Sequence, residues 1–362
     1  MSIIVFIIIL GILVLVHEFG HFLAAKKNGV KVEEFGFGFP PRIFGKKIGE
    51  TIYSINLFPI GGFVKLYGEE YHELDKTKSL PIATSSLKDR AFVYKKPWQK
   101  ASIILAGVIG NFLLGWLVIS FLFTQGVPTP VNKVLVEKVQ TNSPAAEAGL
   151  KPKDFVVELQ KGAKNYKLSS PNELTLLTQK FLGEEVNLSV ERNGKKLNLL
   201  ITPRKNPPKG QGPLGIVITS PFIEKKYPWY QAPFYGLIEA FNITKKIVVE
   251  FGRIIIQLIT LHKPEVDVAG PIGIAQYTGQ AIKFGKNAVL ELLALLSLNL
   301  AVINILPFPA LDGGRLVFVI YEWISKKKVN QKFEKYLNVI GFALLLTLAV
   351  FVTINDLIKI YR

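Results

Sequence analysis

Residues 1–27 read MSIIVFIIILGILVLVHEFGHFLAAKK. The apolar run from Ile3 to Ala25 supplies the roughly 20 residues that one helical crossing of a bilayer needs. It lacks the basic start of a secretory signal peptide, and it continues past a His-Glu pair to Ala25, so it reads as a retained membrane helix. Near its inner end stand His17, Glu18 and His21. Ionisable groups are costly in hydrocarbon, and three together mark a functional site. Positions i and i+4 share one helix face, so His17 and His21 can offer both imidazoles to one metal ion. Glu18 lies beside that face and can activate water as a general base. In a soluble helix the same letters are often only a solvated stripe; inside an apolar span that explanation loses its ground.

Working outward, the 362 residues are 49% hydrophobic and only 20% charged, with a mean hydropathy of +0.32. That composition is a membrane protein's. Three further stretches can span: about 101–123, about 289–324, broken at Leu306-Pro307-Phe308-Pro309, and about 339–358. The fold class expected is therefore a multi-span α-helical membrane protein with four transmembrane helices. The net charge of +17 would suggest nucleic acid in a soluble chain. Here the lysines flank apolar runs without forming a compact patch interleaved with aromatics, so the partner is the lipid bilayer and no nucleic acid is expected. Lys26, Lys27, Lys31, Lys95, Lys96, Lys100 and Lys326 to Lys328 fall on one side under this count. That side reads as cytoplasmic, which places the N-terminus and the segment between spans two and three outside. Lys359 and Arg362 argue the other way but are fewer. Cysteine is absent, so zinc would be held by histidine and carboxylate alone.

The expected organisation has four parts: residues 1–126 with spans one and two, 127–206, 207–288, and 289–362 with spans three and four. Within the first, Thr51 to Leu66 (TIYSINLFPIGGFVKL) carries β-forming residues on both sides of Pro59-Ile60-Gly61-Gly62 and reads as a hairpin. It is apolar on both faces, which suits a membrane-associated position against the catalytic helices. In 127–206, Val134 to Val136, Ser143 to Leu150, Asp154 to Val157, a helix-like stretch 172–182, Val186 to Val190 and Leu197 to Ile201 resemble an inserted α+β PDZ domain. A PDZ domain captures an extended peptide at a sheet edge. Leu237 to Leu261 repeats apolar residues at helical spacing against five charges, which favours an interfacial amphipathic helix followed by a connector.

A catalytic zinc needs a third protein ligand and an open position. His72 lies in a charged loop and His262 at the end of the amphipathic stretch, neither with a polar cluster inside a span. Asp312 is better placed, in Asn304-Ile305-Leu306-Pro307-Phe308-Pro309-Ala310-Leu311-Asp312-Gly313-Gly314. Prolines and glycines unwind a helix at membrane depth where its backbone lines a polar cavity, and the carboxylate can then face the metal from a second span. The plainer alternative for Asp312 is a cap on a broken helix.

His17-Glu18-x-x-His21, Leu311-Asp312-Gly313 and a PDZ-like segment between them resemble the site-2 protease family, and within it the homologues of the bacterial regulator of sigma-E protease. The resemblance covers essentially the whole chain. It implies an intramembrane zinc metalloendopeptidase with one Zn2+ per chain on His17, His21 and Asp312, and Glu18 as base. It implies single-span membrane protein substrates, of anti-sigma factor or remnant signal peptide type, cleaved in regulated intramembrane proteolysis or signal-peptide clearance. It also implies substrate contacts at Asn304, Pro307, Pro309, Gly61 and Gly62, and a multi-pass position in a bacterial cytoplasmic (inner) membrane with the PDZ domain on the extracytoplasmic side. Gly270-Pro271-Ile272-Gly273 and Asn111 match further family segments. Gly107 and Gly110 read as close helix packing. The best-known members carry two tandem PDZ domains, whereas this chain has room for one. The competing reading is a non-catalytic membrane adaptor whose PDZ domain binds partner tails. A zinc-dependent transporter would favour more than the four histidines present.

Overall fold

A computed structural model describes residues 2–69, 87–208, 210–260 and 269–360. In chain order the helices are α1 (Ser2–Lys27), α2 (Pro97–Gln125), α3 (Pro144–Glu147), α4 (Pro171–Lys180), α5 (Ala232–Ile259), α6 (Pro271–Phe284), α7 (Lys286–Ile305), α8 (Asp312–Ser325) and α9 (Gln331–Ile360). The strands are β1 (Val32–Ile48), β2 (Thr51–Leu66), β3 (Val127–Pro130), β4 (Val134–Val139), β5 (Phe155–Lys161), β6 (Lys164–Lys167), β7 (Val186–Arg192), β8 (Lys195–Ile201), β9 (Ile216–Thr219) and β10 (Phe222–Lys225). The chain divides into two compact units, one of Met1–Thr124 with Tyr227–Arg362 and one of Gln125–Lys226.

In the first unit, four helices are long and apolar enough to cross a membrane: α1, α2, α7 and the 332–359 part of α9. The stretch expected as one overlong third span is two helices. α7 stops at Ile305, Leu306 turns extended (φ −61°, ψ 141°), Ala310 adopts a left-handed φ of 71°, and α8 starts afresh at Asp312. Proline without an N–H and with a fixed φ accounts for the stop. α1 and α2 approach closely because glycines remove the side chains between them. A Cβ on Gly20 would collide with the Ala106 carbonyl oxygen, and one on Gly110 would sit 2.9 Å from that of Val16. Ile9, Leu13 and Leu293 knit α1 to α7, and Ile119, Ala240, Ala294 and Leu298 join α2, α5 and α7.

The β1–β2 sheet differs from the simple hairpin expected over 51–66. Phe35 lies opposite Val64 and also opposite Tyr53, and Gly36 opposite both Phe63 and Ser54. Residues 34–37 therefore lie between the two arms of β2. The outer arm of β1 pairs with β2 from Arg42–Asn56 to Ile48–Thr51 around the turn at Gly49. The reason is long-range: β1 carries Gly36, Gly38, Gly45 and the Pro40-Pro41 pair, which read as loop until a partner strand covers them.

α5 packs Ala240 into the cluster with α2 and α7 while Phe241, Val248 and Ile256 stay exposed. Its charges include the Arg253–Glu250 pair at 2.8 Å. It starts earlier than the amphipathic pattern suggested. The last residue of that pattern, together with His72 and His262, lies outside the described residues.

The second unit holds a sheet of order β8-β7-β5-β4-β9, with β6 on β5, and a separate β3–β10 pair. Val134 and Val136 in β4 and Val186, Leu188 and Val190 in β7 alternate into its core, the period-2 pattern of a half-buried sheet, and Val156 and Leu159 of β5 join them across a bulge. Ser143 and Ser170 cap α3 and α4, accepting the N–H groups of Ala146 and Glu173. The unit extends past residue 206 by taking β9 and β10 from the stretch read as connector. At four residues each, among prolines and glycines, they are too short to show a period. Asp154 is buried, accepting from Arg192 at 2.7 and 2.6 Å and from the Lys151 amide at 2.8 Å. Burial pushes its carboxyl up, but the Arg192 hydrogen bonds and the Lys151 amide outweigh that and hold it below the usual carboxylate value.

Candidate metal centre

His17 and His21 stand one turn apart on α1. Their Nε2 atoms are 3.2 Å from each other and lie 3.1 and 3.2 Å from Asp312 Oδ2. Asp312 comes from the first turn of α8, so the break after α7 is what carries a carboxylate to the histidines. Among the described residues these three form a group able to hold a metal ion.

The donor set fits zinc. His21 Nδ1 is 2.8 Å from the Ile103 carbonyl oxygen, which can only accept, so Nδ1 carries a proton and the neutral ring has its lone pair on Nε2. Asp312 Oδ2 is buried without a hydrogen-bond partner although two imidazole nitrogens face it. Two imidazole nitrogens and a carboxylate oxygen about 3 Å apart form a donor set that suits a cation. A tetrahedral zinc with bonds of about 2.0–2.2 Å spaces its ligand atoms about 3.3–3.6 Å apart, slightly wider than the 3.1 to 3.2 Å between these atoms.

Glu18 shares with these three side chains a cavity of about 400 Å³, whose wall includes Phe63 to Leu66. Gly62 lies directly beside it, since a Cβ there would be 3.3 Å from Glu18 Cγ and 3.0 Å from Val14. Asn304, near the end of α7, brings Nδ2 to 3.5 and 3.4 Å from the two ring nitrogens of His17. Gly61 turns at a φ of 107° against the Phe39 ring. Pro307 and Pro309 form the break itself, Pro309 backing onto Gly341 of α9. The centre thus gathers His17, Glu18, His21, Asn304, Asp312 and Gly62, while Gly61, Pro307 and Pro309 shape the backbone around it.

Sequence reasoning treated Asn111 as secondary and passed over Arg315 and Glu69. Asn111 is fully buried with Nδ2 3.3 Å from His17 Nδ1. Arg315, one turn after Asp312, pairs with Glu69 at 2.5 Å, and both line the same cavity. An arginine just beyond the aspartate in an apolar stretch was the available signal.

A membrane-spanning protein whose buried two-imidazole, one-carboxylate centre has a second carboxylate in the same cavity falls in the class of membrane metallohydrolases. The chain belongs to peptidase family M50, whose profile matches residues 5–348. It is similar to a Clostridium perfringens protein that carries a zinc-metalloprotease name, 35% identical over 351 residues covering 96% of this chain and 95% of the relative. It is also similar to the regulator of sigma-W protease RasP of Bacillus subtilis, 29% identical with 99% of each chain covered. The zinc metalloprotease RasP of Geobacillus kaustophilus is 30% identical, with 99% and 98% covered. The protein is accordingly a metalloprotease of site-2 type, and its metal is zinc.

Proposed function

We propose that the protein hydrolyses peptide bonds within or near the transmembrane segments of single-span membrane proteins, with His17, His21 and Asp312 holding one Zn2+ and Glu18 as the base. The observation that carries this reading is the convergence of Asp312 Oδ2 with the two Nε2 atoms in a cavity that Glu18 also lines. When bound, zinc polarises the scissile carbonyl and lowers the pKa of water from about 15.7 to roughly 7. The Glu18 carboxylate takes the proton from the attacking water and delivers it to the leaving amide nitrogen.

A transmembrane helix hides its carbonyls in intrahelical hydrogen bonds, and hydrocarbon offers no water. The chain therefore has to open the substrate locally and keep a polar space. Residues 62–66 of β2 pair with 32–37 on one side, and Phe63 to Leu66 also line the cavity. Their other edge offers backbone groups to an unwound substrate as an added strand. Gly61 and Gly62 let that edge approach, Pro307 and Pro309 hold the break open, and Asn304 orients the substrate backbone beside His17.

The unit 125–226 serves as a PDZ domain on the extracytoplasmic side of a cytoplasmic membrane, α5 lies along the membrane interface, and the β1–β2 sheet lies against the membrane. The antiparallel sheet, the Ser143-capped short helix and the longer α4 support the PDZ reading. A relative named for regulation of sigma-W supports substrates of anti-sigma factor type; remnant signal peptides are the second substrate class. The test is cleavage of a purified single-span substrate by wild type and Glu18→Gln. The variant should keep its zinc and lose cleavage, and persistent cleavage would discard Glu18 as the base.

A further inference from the structure

We propose that Asn111 is a positioning residue of the zinc centre, its side-chain oxygen accepting the Nδ1–H of His17 and so fixing the tautomer that turns Nε2 toward the metal. This rests on the ligand assignment above. His21 shows what the centre requires, since its Nδ1–H donates to a carbonyl and leaves Nε2 free. His17 needs the same arrangement, and two amides come near its Nδ1. Asn304 Nδ2 is almost equidistant from both ring nitrogens, at 3.5 and 3.4 Å, so it does not lie along the Nδ1–H direction. Asn111 faces Nδ1 alone, at 3.3 Å.

With the amide nitrogen turned to His17, that ring would have to accept at Nδ1 and carry its proton on Nε2. That proton would point into the gap shared with His21 and Asp312 and would bar metal binding. The same orientation leaves Asn111 Oδ1 buried without a partner. Amide oxygen and nitrogen are interchangeable by a half-turn of the terminal torsion, and the turned orientation gives His17 the acceptor it lacks.

The surroundings hold Asn111 in place. It is completely buried, and its backbone carbonyl accepts from Ser297 Oγ of α7 at 2.7 Å. Outer partners of this kind set ring orientation and ligand basicity, and their loss weakens metal binding by about 10–100-fold.

The experiment measures zinc affinity by chelator competition in detergent for wild type, Asn111→Leu and Asn111→Asp. Leucine keeps the size and removes the acceptor, so it should bind zinc about 10–100-fold more weakly. Aspartate restores an oxygen and should return affinity to the wild-type level or above. Asn111→Leu binding as tightly as wild type, or Asn111→Asp binding as weakly as Asn111→Leu, overturns the proposal. A wild type that binds no zinc overturns both this proposal and the function above it. Should the leucine variant not fold, histidine 15N spectra decide between wild type and Asn111→Asp in a His72→Gln, His262→Gln background. The Nδ1–H signal of His17 should move and that of His21 should stay, and an unmoved His17 signal refutes the contact.

Discussion

Gly107→Ala is expected to disable the zinc centre without replacing any of its proposed ligands. A Cβ at Gly107 would meet His21 Nε2 first, then His21 Cε1 at 2.7 Å and His17 Cε1 at 2.8 Å. Ordinary van der Waals contact begins at 3.4 Å, so both rings would have to retreat by about 0.6 Å or more. Zinc sites hold their ligand distances to about 0.2 Å, and a misplacement approaching 1 Å costs an enzyme about 100-fold. Zinc affinity and cleavage should therefore each fall by about 100-fold, equivalent to ~2.7 kcal/mol. The fold should survive, because the obstructed atoms are ring edges rather than backbone, and alanine is about 1 kcal/mol the better helix former. The assay pairs chelator competition for zinc with a thermal melt of the zinc-free protein in detergent. Gly252→Ala, with nothing within 4 Å of its Cβ, serves as the control and should match wild type in zinc affinity and cleavage. If Gly107→Ala holds zinc with wild-type affinity, the close approach of α2 to the two imidazoles has been misjudged.

Removing zinc with a chelator should lower the melting temperature by several degrees and restoring it should recover both stability and cleavage, since a ligand at 1,000 times its Kd adds about 4 kcal/mol; an unchanged melt would refute a folded-state zinc site. Lys100, buried in α2, pairs with Glu322 of α8 at 2.9 Å, so Lys100→Met should cost about 3 kcal/mol by stranding a largely buried carboxylate, and Lys100→Met with Glu322→Gln should recover most of it. Asp154 has a depressed pKa, so its pairing stabilises the second unit fully above the unfolded value of about 3.9 and is lost as pH falls through the lower folded value. Amide-exchange protection factors in β5 and β7 of the full chain should accordingly hold from pH 7 to pH 5 and fall below about pH 4, whereas Asp154→Asn should lower them at pH 5 to 7 by removing an interaction of about 2 kcal/mol and should converge with wild type at the acid end.

The elements that sequence alone foretold are those dictated by solvent. Hydrocarbon demands about 20 apolar residues per crossing, so α1 and α2 could be read within a few residues. The apolar pattern carries the third span on through α8 and starts the fourth at residue 339, although the α9 helix begins at Gln331. The prolines at 307 and 309 likewise placed the break between α7 and α8. What could not be read depends on partners distant in the chain. The arms of 51–66 looked like a closed hairpin because nothing local shows that 34–37 comes between them. β9 is a strand only because β4 offers it an edge, with Leu135 opposite Thr219 and Val136 opposite Ile218.

The metal site divides along the same line. His17, Glu18 and His21 were legible because their spacing is internal to one helix, and Asp312 because its carboxylate sits in a broken span. Gly107, Gly110 and Asn111 carry a signal of the same kind, which reads as close helix packing at the glycines and as a family match at Asn111. At i, i+3 and i+4 they share one face of α2, and two glycines followed by a buried amide on a membrane helix mark a surface that something large and polar approaches. Sequence leaves open whether that visitor is another backbone or a pair of imidazoles. The answer lies in the rotation of α2 about its axis, which the Gly20–Ala106 and Gly110–Val16 approaches set from α1 and the Ser297–Asn111 bond sets from α7. α2 is therefore the back wall of the metal site rather than a bystander span. A side chain at Gly107 would crowd the rings that an acceptor at Asn111 orients.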